Sequence, residues 1–560
     1  MAEQLYFSRD TRMFVQFRNT TDNTETAADL GKGALWEIPV LDGYSFSQTT
    51  NTSEITLAEM ESSAGVSRRG RRMFTDSLAP AEWSFATYIR PFDSVGQTAL
   101  GNSYDGAKGA ETGSNTGVHA VEEVLWASMF GADKYTTNSS VQKFRRNVQA
   151  VSGSETDVLA PGGDNMVLTI QESNRSALHS FVIWFLIDTD TDNPLVYRMP
   201  ESIVNEVSID FDVDGIATLN WSGFSKEIID YSEKVGFAAH ATNRPACTGG
   251  RKGGGNLILG DVLINTGNSR QFGLISTTGG AGSSVVTEAI DEATTSTKNF
   301  IRNRLTGVEI ETADGADKVA GTFPGSHVTV TGITLVADPV VTAASHGFAN
   351  GDTVRITGTC GITKSSVDVL DGIDHVISGV TTNTFIIAAL DLSSGTSGSF
   401  SGTPVAANGK YSLTLTGGSF NIGNNITYLV PEELGAINKP LEHVTGTRTA
   451  TGNATCYITL EDADTTSGTS RQFFNDLVGT SAMAKVVNKF KVTMHIGGTA
   501  ATGNTTDPAL KIIFPTAHIE VPTHSVEDII SLETNFTALP TDFGSADEIT
   551  SITYYPPSSY

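Results

Sequence analysis

The sequence predicts a mainly β protein: two tandem sandwich or barrel units, each with a flanking helix, and a small β domain inserted in the second. Three observations predict it. Short apolar or alternating runs, bounded by Gly, Asn-Gly and Asp-Gly, recur along the chain. Charged residues are only 18% while Gly reaches 56 of 560 residues, which suits many short strands and turns and not a helical bundle. The order of elements in the first half also returns in the second.

Leu35 to Val40 is largely apolar, Asp42-Gly43 is a turn signal, and Tyr44 to Ser47 alternates. Trp83 to Ile89 is a strand candidate stopped at Pro91. His119 to Phe130 reads as a helix, because Val121, Val124, Leu125 and Met129 share one face and Gly131 can end it. Phe181 to Ile187 is the longest apolar block and has the length of a buried strand. Val204 to Trp221 alternates over a long run.

The second half echoes this order. Gly417-Gly418-Ser419-Phe420 echoes Gly43-Tyr44-Ser45-Phe46, and Thr455-Cys456-Tyr457-Ile458 echoes Ala86-Thr87-Tyr88-Ile89. Arg471 to Val478, stopped by Gly479, stands where the first half has its helix. Pro522 followed by Val526 to Ile529 echoes Pro200 followed by Val204 to Val207. Four echoes in one order argue for a duplicated unit; compositional likeness between β-rich segments is the plainer alternative.

Between the copies the texture changes. Residues 247–255 and 276–300 are Gly-rich loops. Residues 324–405 read as a separate small β module, with strand candidates at His327 to Val336, Thr353 to Thr357, His375 to Val380 and Thr384 to Leu390. The expected division is therefore 1–240 for the first unit, 241–323 for loops and the start of the second, 324–405 for the insert, and 406–560 for the rest of the second.

Catalytic and metal chemistry finds little support. Gly-x-Ser-x-Gly is absent, Arg251-Lys252-Gly253 lacks the hydroxyl residue of a phosphate-binding loop, and the ten histidines lack ligand spacing. Cys247, Cys360 and Cys456 are far apart, as expected of reduced thiols. Met1-Ala2-Glu3-Gln4 does not open a secretory leader, and no stretch reaches the ~18 apolar residues of a membrane span. No catalytic residue, metal or cofactor is expected.

Asp210-Phe211-Asp212-Val213-Asp214-Gly215 matches the start of an EF-hand loop, but Trp221 stands where the closing carboxylate belongs. A strand explains it better: Ser208, Asp210, Asp212 and Asp214 fall on one face, Val207, Ile209, Phe211 and Val213 on the other. Ser531, Glu533 and Asn535 form a similar polar face in the second half. Such a face is either a solvated sheet surface or the wall of an acidic lumen. The chain carries 62 acidic against 36 basic residues, a net charge of −26, so it is not built to neutralise phosphates. Its one dense basic run, Arg68, Arg69, Arg71 and Arg72, is a candidate contact to acidic surface on a neighbouring subunit, ahead of a solvated loop and a nucleic-acid contact.

The run from Trp36 to Phe46, continuing through Asn51 and Ile55 to Leu57, resembles the opening of large phage tail tube proteins. So does Ser67 to Arg72 leading into Asp76 to Phe85, and the segments Asn205 to Phe224 and Pro515 to Leu539 have the same character. The insert, with His346 to Asp352, resembles small β repeats that decorate phage structural proteins. The resemblance implies a non-enzymatic virion component, assembled in the host cytoplasm, whose rings stack into a tube. A duplicated chain should form trimeric rings with pseudo-sixfold symmetry. Asp210, Asp212, Asp214 and Glu533 would line the channel for double-stranded DNA, which passes without specific binding. The other implied partners are tape measure, tail terminator, baseplate or tail-tip proteins and a sheath, with no membrane. The rival readings are a surface adhesin, a decoration or baseplate protein with a carbohydrate-binding module, and a virion hydrolase. The hydrolase would need paired carboxylates in a cleft, which no spacing singles out.

Overall fold

The computed structural model describes residues 11–556 apart from 18–33, 55–72, 95–116, 233–255, 277–287, 313–326, 459–468, 479–489, 499–507 and shorter stretches. The fold is mainly β, with curled sheets and a half-barrel. One core runs through most of it, from Met13 to Tyr554.

The main feature is a continuous antiparallel series of strands. It runs Ser45–Ser47, Ala81–Tyr88, Thr218–Ser225, Leu195–Asp212, Leu415–Gly423, Thr449–Tyr457, Ile530–Ala538 and Ala509–Ile519, with Thr523–Val526 continuing the last position. The expected strand at Val204 to Trp221 is in fact two strands, Leu195–Asp212 and Thr218–Ser225, folded at Gly215 (φ 128°). That left-handed backbone favours glycine.

Behind the series lie the apolar strands. In the first half, Arg12–Phe17 pairs with Ala34–Ile38 and with Phe181–Ile187, which pairs with the start of Leu195–Asp212. In the second half, Gly307–Thr312 pairs with Lys410–Leu413 and with Phe490–Ile496, which pairs with the start of Ala509–Ile519. Phe181–Ile187 is buried along nearly its whole length, which explains its unbroken hydrophobicity. Together with the three pairings that Ser45–Ser47, Ala81–Tyr88, Thr218–Ser225 and Leu195–Asp212 make, six pairings of the first half recur in the same chain order in the second.

The helices stand at matching places, Glu123–Met129 and Ser470–Val478. The first begins later than expected. Gly117–Ala120 is a strand pairing with Pro91–Ser94, and His119 Nδ1 meets the Glu123 carboxylate at 2.9 Å. All seven helical residues are buried, so this helix lies inside the core and does not show one polar face.

The insert has its own core, including Val341, Phe348, Val354, Ile356, Phe385 and Ile387. Its strand Thr353–Thr357 agrees with expectation, and Thr384–Ile387 stops three residues before the expected Leu390. His327–Thr329 with Gly332–Ile333, and Asp374–Ser378, are shorter than the runs that announced them. The insert lies between the paired strands Gly307–Thr312 and Lys410–Leu413. Lys410 Nζ bridges Asp352 of the insert (2.8 Å) and Glu309 of the second half (3.2 Å). Strand Gln271–Ser276, from the stretch between the halves, adds to Ala34–Ile38 in the first. The glycine-rich stretch 247–255 is outside the described residues, as is Cys247; Cys360 and Cys456 are buried. No described helix is long and apolar enough to cross a membrane.

The last strand joins the halves. Ser551–Tyr555 pairs with Met166–Leu168 on one side and Ala509–Ile519 on the other. Its Tyr554 hydroxyl donates to Glu122 Oε1 at 2.8 Å and accepts from Trp126 Nε1 at 2.6 Å. Glu122 is fully buried, and burial pushes its carboxyl up to about 7. The protonated form is therefore favoured in the fold. This contribution is fully present below the ordinary value of 4.5 and is lost as the pH rises through about 7. Denaturant titrations from pH 4.5 to 8 should show the wild type losing about 3 kcal/mol relative to Glu122→Gln, whose neutral side chain cannot ionise. Parallel curves for the two proteins would refute this.

Candidate functional site

The candidate site is the outward face of the strand series. Period-two alternation sends Val207, Ile209 and Phe211 into the core, and leaves Ser208 half-exposed and Asp210 and Asp212 exposed. Neighbouring strands present Ser45, Ser47, Ser84, Asn220, Ser419, Asn421, Thr451, Asn453, Asn535 and Thr537 on the same side. The carboxylates on it are Glu82, Glu206, Asp210, Asp212, Glu520 and Glu533. Among the described strand positions on this face there is no Lys or Arg.

The register brings the expected residues together. Asp212 pairs with Gly417, Gly417 with Thr455, and Thr455 with Glu533, so Asp212 and Glu533 share one cross-strand row. Three strand steps place them about 14 Å apart. Asp214 lies beyond the strand end, in the turn that leads to Thr218–Ser225. Asn220 Nδ2 donates to Asp210 Oδ2 at 3.2 Å, Asn535 Nδ2 to Glu520 Oε2 at 3.2 Å, and Asn421 Nδ2 to Glu206 Oε1. Amides therefore hold the carboxylates apart at fixed points of a hydroxyl-rich sheet. Glu82, Glu206 and Glu520 were missed from the sequence. Glu82 and Glu206 sit on the polar phase of their strands, which alone could have found them, and Glu520 follows directly on the strand end at Ile519.

The ends of the series are the second part of the site. At one end Ser45–Ser47 pairs with Ala81–Tyr88 on one side only among the described residues. At the other, Thr523–Val526 pairs only with Ile530–Ala538. Apolar side chains stand exposed near that second edge: Val521 (54%), Ile529 (61%) and Ile530 (44%). Unpaired edges with exposed apolar residues invite a further strand. In mid-series the corresponding strands already meet. Glu206 to Asp212 pairs with Gly417 to Gly423, joining the first half to the second.

The basic run Arg68, Arg69, Arg71 and Arg72 lies outside the described residues. The hairpin that leads to it, Thr50–Glu54 with Met73–Leu78, is described and exposed along most of its length.

Face and edges together define a β-sheet scaffold, with working parts that are surfaces and backbone edges. Among known proteins, a tail tube protein, pb6, of Escherichia phage T5 is 33% identical over 141 residues. The aligned stretch covers 25% of this chain and 28% of that protein, less than a third of its length. No protein-family model matches the chain.

Proposed function

We propose that this chain is a structural subunit of a phage tail tube, not an enzyme, and that copies close into rings by pairing Thr523–Val526 of one with Ser45–Ser47 of the next. The observation that carries this reading is the mid-series junction. It joins the last strand of one four-strand set to the first strand of another, and the same two kinds of strand stand unpaired at the chain's two ends. Pairing the ends repeats a junction that the chain already makes and removes both open edges. The six recurring pairings support an internal duplication, with the module at 324–405 inserted between two paired strands of the second copy. Three duplicated chains would then give a pseudo-sixfold ring.

The similarity to the T5 tail tube protein favours this reading over an adhesin or decoration protein. The polar face would turn inward. A wall with carboxylates at intervals and, among the described strand positions, no Lys or Arg offers DNA no charge-neutralising contact, and repels it within ~8–10 Å. Rings would stack into the virion tail, ending on terminator and tip or baseplate proteins, around a tape measure and within or without a sheath.

Electron microscopy of the purified chain at rising concentration tests the reading. Hollow tubes or stacked rings with three chains per ring are expected; a monomer at every concentration would overturn it. Charge reversal at Asp210, Asp212 and Glu533 to Lys should leave tubes intact and slow DNA ejection. The defect should shrink at 1 M salt, where screening shortens to ~3 Å. Normal infectivity of that variant would count against an inward acidic face.

A further inference from the structure

Each half carries a hairpin between the first two strands of its set, and the two hairpins sit differently. The second, Thr427–Leu429 with Glu442–Val444, lies down on the first half. Tyr428 and Ile426 pack with Ile203, Leu178 and Phe224. The Tyr428 hydroxyl donates to the Glu201 carbonyl, His443 Nε2 meets the Leu178 carbonyl oxygen at 3.0 Å, and the Ile426 amide donates to Asn205 Oδ1 at 2.7 Å. Among the described residues no comparable packing holds the first hairpin. Its Thr50–Glu54 strand is exposed throughout, and Met73 and Phe74 on the opposite strand are 61% and 57% exposed.

We infer that the first hairpin is an arm whose seat is the second half of a neighbouring copy in the same ring. This rests on the tube reading above. The strand registers locate the seat. Ile203 pairs with Phe224, and His518 pairs with Thr537, at the same place in the two halves. Counting on from the matched strands puts Thr52 and Glu54 where the second hairpin has Ile426 and Tyr428. Ile426 and Tyr428 of the second hairpin meet apolar Ile203 and Phe224, and the polar Thr52 and Glu54 of the first would meet polar His518 and Thr537. Arm and seat lie at opposite ends of the strand series, so one chain cannot bring its own pair together.

Glu54→Cys and Thr537→Cys, placed together and treated with a short bismaleimide after assembly, read this directly. Covalent products stopping at three chains are expected, with no product from either single variant. Products that ladder beyond three chains would assign the arm to the next ring and overturn the inference. So would tubes of normal appearance that yield no product, and in that case the tube reading would stand. A chain that forms no rings under any condition would overturn both.

Discussion

Replacing Glu37 by Ala is expected to destabilise the chain by about 3–5 kcal/mol, close to unfolding a typical domain. Arg12 and Glu37 form a two-pronged pair on adjacent strands of the inner layer, with Nε–Oε1 at 2.8 Å and Nη2–Oε2 at 2.6 Å. Their side chains are 4% and 1% exposed. Truncating the carboxylate leaves a guanidinium in the core with its main counter-charge gone, and an arginine cannot escape by losing its proton. Removing both charges is a different case. The second half carries Gly307 and Ser412 at the matching positions, so the same framework is built there without the pair. Arg12→Met with Glu37→Leu should therefore return stability to within about 1–2 kcal/mol of wild type. Denaturant midpoints of the two single variants and the double variant check this. A loss under 1 kcal/mol for Glu37→Ala would show the pair to be solvated.

The second large effect lies in the strand series, where aromatic rings cover glycines on paired strands. Trp83 pairs with Gly223 and covers it; a Cβ at Gly223 would sit 2.3 Å from Trp83 Cζ2 and 2.1 Å from the Ile203 carbonyl oxygen. At the matching place in the second half the partners are exchanged. Gly452 lies on the second strand and Phe536 on the third, and a Cβ at Gly452 would sit 2.5 Å from that ring. A glycine under a ring lets two strands pack without a void or a clash. Gly452→Trp alone should cost about 3 kcal/mol by overpacking. Adding Phe536→Gly, which recreates the first half's arrangement, should recover most of it, a coupling of about 2–3 kcal/mol in a double-mutant cycle. Additive losses would mean that the two halves do not fill this position interchangeably.

Much of the fold was legible because it is written in local alternation. Phe181–Ile187 stands at its expected bounds because a strand buried on both sides needs no polar residue. Asp210, Asp212 and Glu533 fall on one sheet face because period two fixes the phase of every strand. What was not legible depends on distant pairing. Leu195–Asp212 begins well before the alternating run, because its first half pairs in the inner layer and its second half in the outer face. His119 reads as helical by spacing, yet Pro91–Ser94 takes it into a strand. Nothing local announces that Tyr554 reaches Trp126, or that Tyr428 lies on the first half of the chain. Four short echoes gave the order of elements, whereas the six recurring pairings lie in registers that no single stretch of sequence contains.

The measurement that tests the account most directly is an electron cryo-microscopy reconstruction of the assembled protein at a resolution that separates strands. The account predicts a closed barrel in which Thr523–Val526 of each copy lies beside Ser45–Ser47 of the next, with Asp210, Asp212 and Glu533 facing the lumen. A wall built from the inner strands around Phe181–Ile187, or copies that meet without joining those two edges, would contradict it.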